Sequence, residues 1–102
     1  MARVTWHPDA LEDIDEIASF IARDAPSLGK LFARRVFDAT KRLGRFPRSG
    51  REIPELGRDD IREIIVGNYR VMHHILPGEV EVIAVVHGAR RPSVVRKRTR
   101  GH

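Results

Sequence analysis

The apolar-rich stretch from Ile61 to His87 reads as three short strands in series, joined by two two-residue turns. Successive strand side chains point to opposite faces, so the register of the strands sorts these residues into two sets. Gly67-Asn68 and Pro77-Gly78 divide the run into strands over 61–66, 69–76 and 79–87. Glycine at 67 permits the positive φ of a tight hairpin, and Pro-Gly suits a type II turn. With two residues in each turn, counting pairs Val66 with Tyr69, Ile65 with Arg70 and Arg62 with His73. It likewise pairs Leu76 with Glu79, His74 with Glu81 and Arg70 with Val85. This register gathers Ile64, Val66, Tyr69, Val71, Ile75, Val80, Val82, Ala84 and Val86 on a core face, with Arg62 and His73 at one end. The other face carries Ile61, Glu63, Ile65, Arg70, Met72, His74, Glu81, Ile83, Val85 and His87. Half apolar and half ionisable, it is expected to be a partly open surface.

Upstream the period changes. Arg3-Val4-Thr5-Trp6 is a β-prone run closed by His7-Pro8, and proline fits a first helical position. Leu11, Ile14, Ala18 and Ile21 then recur at helical steps beside Ala10 and Ile17, with Asp13, Glu16 and Arg23 on a face expected to be solvated. After Asp24-Ala25-Pro26-Ser27, a second stripe runs through Leu28, Phe32, Val36, Ala39, Leu43 and Phe46. The spacing predicts helices over 8–23 and 27–45, then a loop from Glu52 to Asp60. The predicted class is α+β in the order β-α-α-β-β-β, with a helical hairpin packed on one face of a small, mainly antiparallel sheet. A single domain over residues 1–92 is expected, followed by a basic C-terminal tail, 93–102.

Composition narrows the function classes. The 102 residues include no cysteine, which excludes a disulfide framework and a thiolate zinc site. Neighbouring His73 and His74 point to opposite sides of a strand and cannot chelate together, so no metal and no cofactor is expected. Mean hydropathy is −0.35 and no apolar run approaches a membrane span. No charged-then-apolar leader follows Met1, so a cytoplasmic location is expected. A net charge of +5 and a pI near 10.7 favour an acidic partner or nucleic acid. The tail carries Arg90, Arg91, Arg96, Lys97, Arg98 and Arg100 without an acid. It reads as a solvated tail, with phosphate contact as the sharper alternative.

Several short motifs, taken together in order and spacing, resemble the RelE/ParE superfamily of toxin–antitoxin toxins. They are Val4-Thr5-Trp6-His7-Pro8-x-Ala10, Pro47-x-x-Gly50-Arg51, Arg62-Glu63, Asn68-Tyr69-Arg70 and His87-Gly88-Ala89-Arg90. His7 stands where the family often has a helix-capping serine. The resemblance implies a cognate antitoxin and one of two targets. RelE-type toxins cut messenger RNA on the ribosome; ParE-type toxins inhibit DNA gyrase without cutting RNA.

RNA cleavage requires clamping the phosphate and moving protons. By resemblance, the clamp arginines of RelE fall on Arg51, Arg70 and Arg90, with His87 a candidate general acid. The RelE lysines of the first of the three strands are replaced by Ile61 and Glu63, and the tyrosine after the last strand is missing. A carboxylate at Glu63 would repel phosphate. The pattern therefore favours a ParE-like gyrase inhibitor, with Arg51, Arg70, His87, Arg90 and Arg91 as target-binding residues. The alternative is a RelE-like endoribonuclease using Arg51, Arg70, His87 and Arg90. A third class, a non-toxic basic nucleic-acid-binding domain, lacks an aromatic platform for stacking bases.

Overall fold

Strand β1 (Arg3–Trp6) is followed by helices α1 (Pro8–Ala22) and α2 (Pro26–Lys41), then strands β2 (Arg51–Glu52), β3 (Ile61–Val66), β4 (Tyr69–Leu76) and β5 (Glu79–His87), and a closing helix α3 (Val94–Arg98). These elements come from a computed structural model that describes residues 1–90 and 92–99. The sheet order is β1-β5-β4-β3-β2, with β1 parallel to β5 and every other neighbour antiparallel. The expected α+β order is observed. Edge strand β2 is an addition, since two residues are too few to show a period.

Local chemistry explains the helices. The Nδ1 atom of His7 accepts a hydrogen bond from the Asp9 N–H at 3.0 Å, so imidazole caps α1 where a hydroxyl is more usual. At Gly29 an added Cβ would stand 2.5 Å from the Ala18 carbonyl oxygen. Its missing side chain lets α2 press against α1. Ala10, Ile14, Phe32 and Val36 then pack on Ile64, Val66, Val71, Val82 and Val85 of the sheet. Leu11, Leu28 and Phe46, expected within the apolar stripes, instead stand exposed.

The β3–β4 register is the one counted from the turn, including Val66↔Tyr69, Ile65↔Arg70 and Arg62↔His73. Between β4 and β5 the count holds from the Pro77-Gly78 turn as far as His73↔Val82 and then slips. Ile83 is an extra residue, a β-bulge, and Met72 pairs with Ala84. Arg70 therefore faces Val86, not Val85. Past the bulge the faces exchange. Val85 joins the helix-side core, while Ala84 and Val86 lie on the opposite face beside Ile83.

That opposite face is not open. Ile61, Glu63, Arg70, Met72, His74, Glu81 and Ile83 are all buried, and of its expected members only Ile65 and His87 are exposed. A second core forms there, closed by Ile53 and Leu56 of the β2–β3 loop and by Val94 and Val95 of α3. Residues 93–99, expected as part of a tail, thus pack on the domain. Asp13, expected on a solvated helix face, anchors them: its carboxylate accepts from Arg98 at 2.7 Å and from the Val85 N–H at 2.9 Å.

Candidate functional site

Arg70 is the centre of the charged cluster, and β4 carries it into the second core with only 5% of its side chain exposed. A buried guanidinium needs acceptors for its donors. Its Nε donates to Glu63 Oε1 at 2.6 Å, and Nη1 and Nη2 donate to the two oxygens of Glu55 at 2.9 and 2.8 Å. The Arg90 carbonyl accepts a further bond from Nη1 at 3.3 Å. Glu63 reaches Arg51 as well, 2.7 Å from its Nε, because β2 sets Arg51 directly across from Glu63. Hydrogen bonds from Arg70 hold the Glu55 carboxyl down at about 2, and the Glu55 carboxylate pushes the Arg70 guanidinium still higher. Two arginines and two glutamates cancel. The cluster is neutral, and its central cation is occupied.

Close packing at Gly50 makes this arrangement possible. A Cβ at Gly50 would lie 2.5 Å from the Glu63 carbonyl oxygen and 2.9 Å from His73 Cε1. Only glycine lets the chain approach β3 closely enough for Arg51 to pair with it.

The remaining sequence-predicted residues do not converge on Arg70. His87 pairs across the sheet with Tyr69, and the bulge turns it to the helix side, opposite Arg70. Its ring meets Tyr69 edge-on at 5.5 Å, and its Nδ1 accepts from the Ala89 N–H at 3.2 Å. The imidazole holds a strand end. Arg90 is exposed and lends the cluster only its carbonyl, while Arg51 keeps 60% of its side chain in solvent. Arg91 lies outside the described residues. Among the described residues no group of three His, Cys, Asp or Glu side chains could hold a metal, and no helix is long and apolar enough to cross a membrane. Sequence reasoning missed Glu55, whose loop offers no period, and took Glu63 for an exposed repulsive charge. The apolar residues on the same strand face, Ile61, Met72 and Ile83, were the available signal that Glu63 faces a core.

Buried His73 gives this region a pH response. Burial pushes its pKa from 6.5 down to about 4, with Arg62 adding to the shift. The Pro47 and Val71 carbonyls oppose that shift without completing a hydrogen bond to either ring nitrogen. With the folded value below the unfolded one, the unfolded chain takes up the proton first as pH falls. This contribution to stability is fully present above pH 6.5 and is lost down to about pH 4. The loss amounts to about 3 kcal/mol by linkage. Urea unfolding across that range should show it, and His73→Leu should flatten the profile there. The carboxylate of Glu55 acts lower, its contribution fading as pH falls from 4.5 to about 2. A profile unchanged by His73→Leu would remove histidine as the cause.

Comparison with known proteins fits this fold. The family described as "ParE toxin of type II toxin-antitoxin system, parDE" matches residues 4–92. Toxin RelE2 of Caulobacter vibrioides is 30% identical over 91 residues, covering 88% of this chain and 99% of that protein. Y4kP of Sinorhizobium fredii is 29% identical over 87 residues, 83% of this chain and 86% of that one. A solved structure titled "Chromosomal ParDE TA system from P. aeruginosa" contains a chain that superposes with a TM-score of 0.73. It covers 85% of this chain and 96% of the other at 14% identity, a likeness of fold.

Proposed function

The chain belongs to the ParE toxin family of type II toxin–antitoxin systems, and from that premise we propose that it arrests growth by inhibiting DNA gyrase and does not cut RNA. The observation that carries this reading is the occupation of Arg70 by Glu63 and Glu55. A nuclease needs its clamp cations available to the scissile phosphate and a proton donor beside them. Here the central cation is buried against carboxylates, and the candidate general acid, His87, is on the other side of the sheet. Membership of the family implies an antitoxin partner, which on this reading presents an acidic, amphipathic segment that folds on contact. The net charge of +5 would speed that encounter.

A ribosome-dependent messenger-RNA endonuclease is the second reading. It is favoured by the presence of Arg51, Arg70 and Arg90 and by the name of the RelE2 relative. Induced expression in a bacterium, with RNA integrity and plasmid supercoiling followed side by side, separates the two. Gyrase inhibition should leave RNA intact and alter supercoiling. Charge reversal at Arg90 or Arg91 should relieve toxicity by weakening target contact; at exposed Arg90 it should move stability by less than about 0.5 kcal/mol. His87→Ala should leave toxicity largely in place. Codon-periodic cuts in ribosome-bound messenger RNA, abolished by Arg70→Ala or His87→Ala while supercoiling stays normal, would instead establish the nuclease.

A further inference from the structure

Helix α2 runs into a short 3-10 turn, Arg42–Gly44, and Pro47 keeps the chain from winding on. A residue before proline is pushed out of the helical conformation, so Phe46 stands past the last turn. It is 57% exposed. The Ser49 N–H donates to the Phe46 carbonyl at 3.0 Å and closes the corner. Phe46, Pro47 and Ile75 line a shallow pocket of about 610 Å³ there, with Arg45, Arg48 and Ser49 completing its wall. That is room for a small planar group.

Cations surround the exposed ring. Arg42 and Arg45 are exposed and make no ion pair among the described residues. Side chains three apart eclipse in a 3-10 turn, which sets these two along one edge. Arg48 leans on Asp59 at 3.6 Å yet keeps 57% of its side chain in solvent. Lys41, by contrast, is paired with Asp38 at 3.3 Å.

We propose that this corner binds single-stranded nucleic acid. One unstacked base lies on Phe46 against Pro47 and Ile75, and the phosphates on either side meet Arg42, Arg45 and Arg48. Three features select this occupant. A free base brings a flat face for the ring and carries negative charge on both sides of it. A duplex keeps its bases stacked and leaves the apolar pocket unfilled. An acidic peptide meets the arginines, but its carboxylates have nothing to set on the ring. The strands offer no aromatic for such stacking; this corner supplies one. Ile75 lies five residues along β4 from Arg70, about 17 Å, and on the other face of the sheet. The site is therefore separate from the Arg70 cluster and independent of the toxin's target.

Fluorescence anisotropy of a labelled short oligothymidylate, with oligouridylate in parallel, tests this on the full chain. Affinity should fall about a hundredfold per decade of salt, the slope for three phosphates on a single strand. Phe46→Ala should weaken binding at least about fivefold, the loss of one stacked base, with the salt slope unchanged. Phe46→Trp should restore it, and the new indole should be quenched on binding where Trp6 of the parent chain is not. Arg45→Glu should weaken binding as well and flatten the slope. Both positions are exposed, so the variants keep the fold. Equal affinity for the two oligomers supports recognition of the base and phosphate they share; a preference supports the site and names DNA or RNA as its source. No binding at low salt overturns the proposal. So does binding that ignores both Phe46→Ala and Arg45→Glu, or that polyglutamate displaces as well as the unlabelled oligomer does.

Discussion

Glu63→Gln should lower unfolding stability by about 3 kcal/mol, the usual cost of removing one partner from a buried ion pair. Glu63 is 1% exposed and its two oxygens serve two arginines, so the substitution leaves buried Arg70 with a single carboxylate. For a domain of this size that is a fall in Tm of at least about 12 °C. Glu55→Gln should cost less, because Glu55 is 45% exposed and water can take its place. A calorimetric scan of both variants provides the ranking. Joint replacement, Glu63→Leu with Arg70→Met, should recover most of the loss, since an apolar pair of similar volume commonly matches a buried ion pair. If the single Glu63 variant melts with the parent chain, the cluster contributes nothing to the fold and its neutralisation of Arg70 is incidental.

Val95→Asp should be the next most damaging change, at about 2–3 kcal/mol. Val95 is 1% exposed and sits in the second core against the sheet. Burying its side chain is worth about 1.5–3 kcal/mol, and an unpaired carboxylate cannot stay there. The variant's only relief is to lift α3 away, which caps the penalty at the energy of docking. Undocking would also break the Arg98–Asp13 contact and uncover Ile83, Ala84 and Val86. Val95→Ala should cost less than the aspartate, and Asp13→Asn should soften the difference between the two. Urea titrations decide it. Equal midpoints for Val95→Asp and the parent chain would mean that residues 93–99 add nothing to the domain.

Much of the fold was legible because short-range rules set it. Pro8 and Pro26 begin their helices, and Gly67 and Gly78 supply positive φ at the two hairpin turns that divide the apolar-rich stretch into three strands. Register followed from turn length as far as the next irregularity. It failed where Ile83 intrudes, because a bulge in an unbroken apolar run leaves no mark in the sequence. That slip exchanged the faces of Ala84, Val85 and Val86 and separated His87 from Arg70.

The cluster around Arg70 shows the same division. Its arginines were recognisable as a set, and Glu63 was recognised as the residue that departs from a nuclease pattern. By itself, then, the sequence determined the class of fold, the membership of the toxin family and which cations to examine. Whether those cations are free was decided only by the tertiary structure. Glu55 arrives from an aperiodic loop and Asp13 from a helix far away in the chain, to meet Arg70 and Arg98 respectively. A charge is available or neutralised according to what lies within about 4 Å of it, and that distance is set by packing between segments that sequence spacing does not relate.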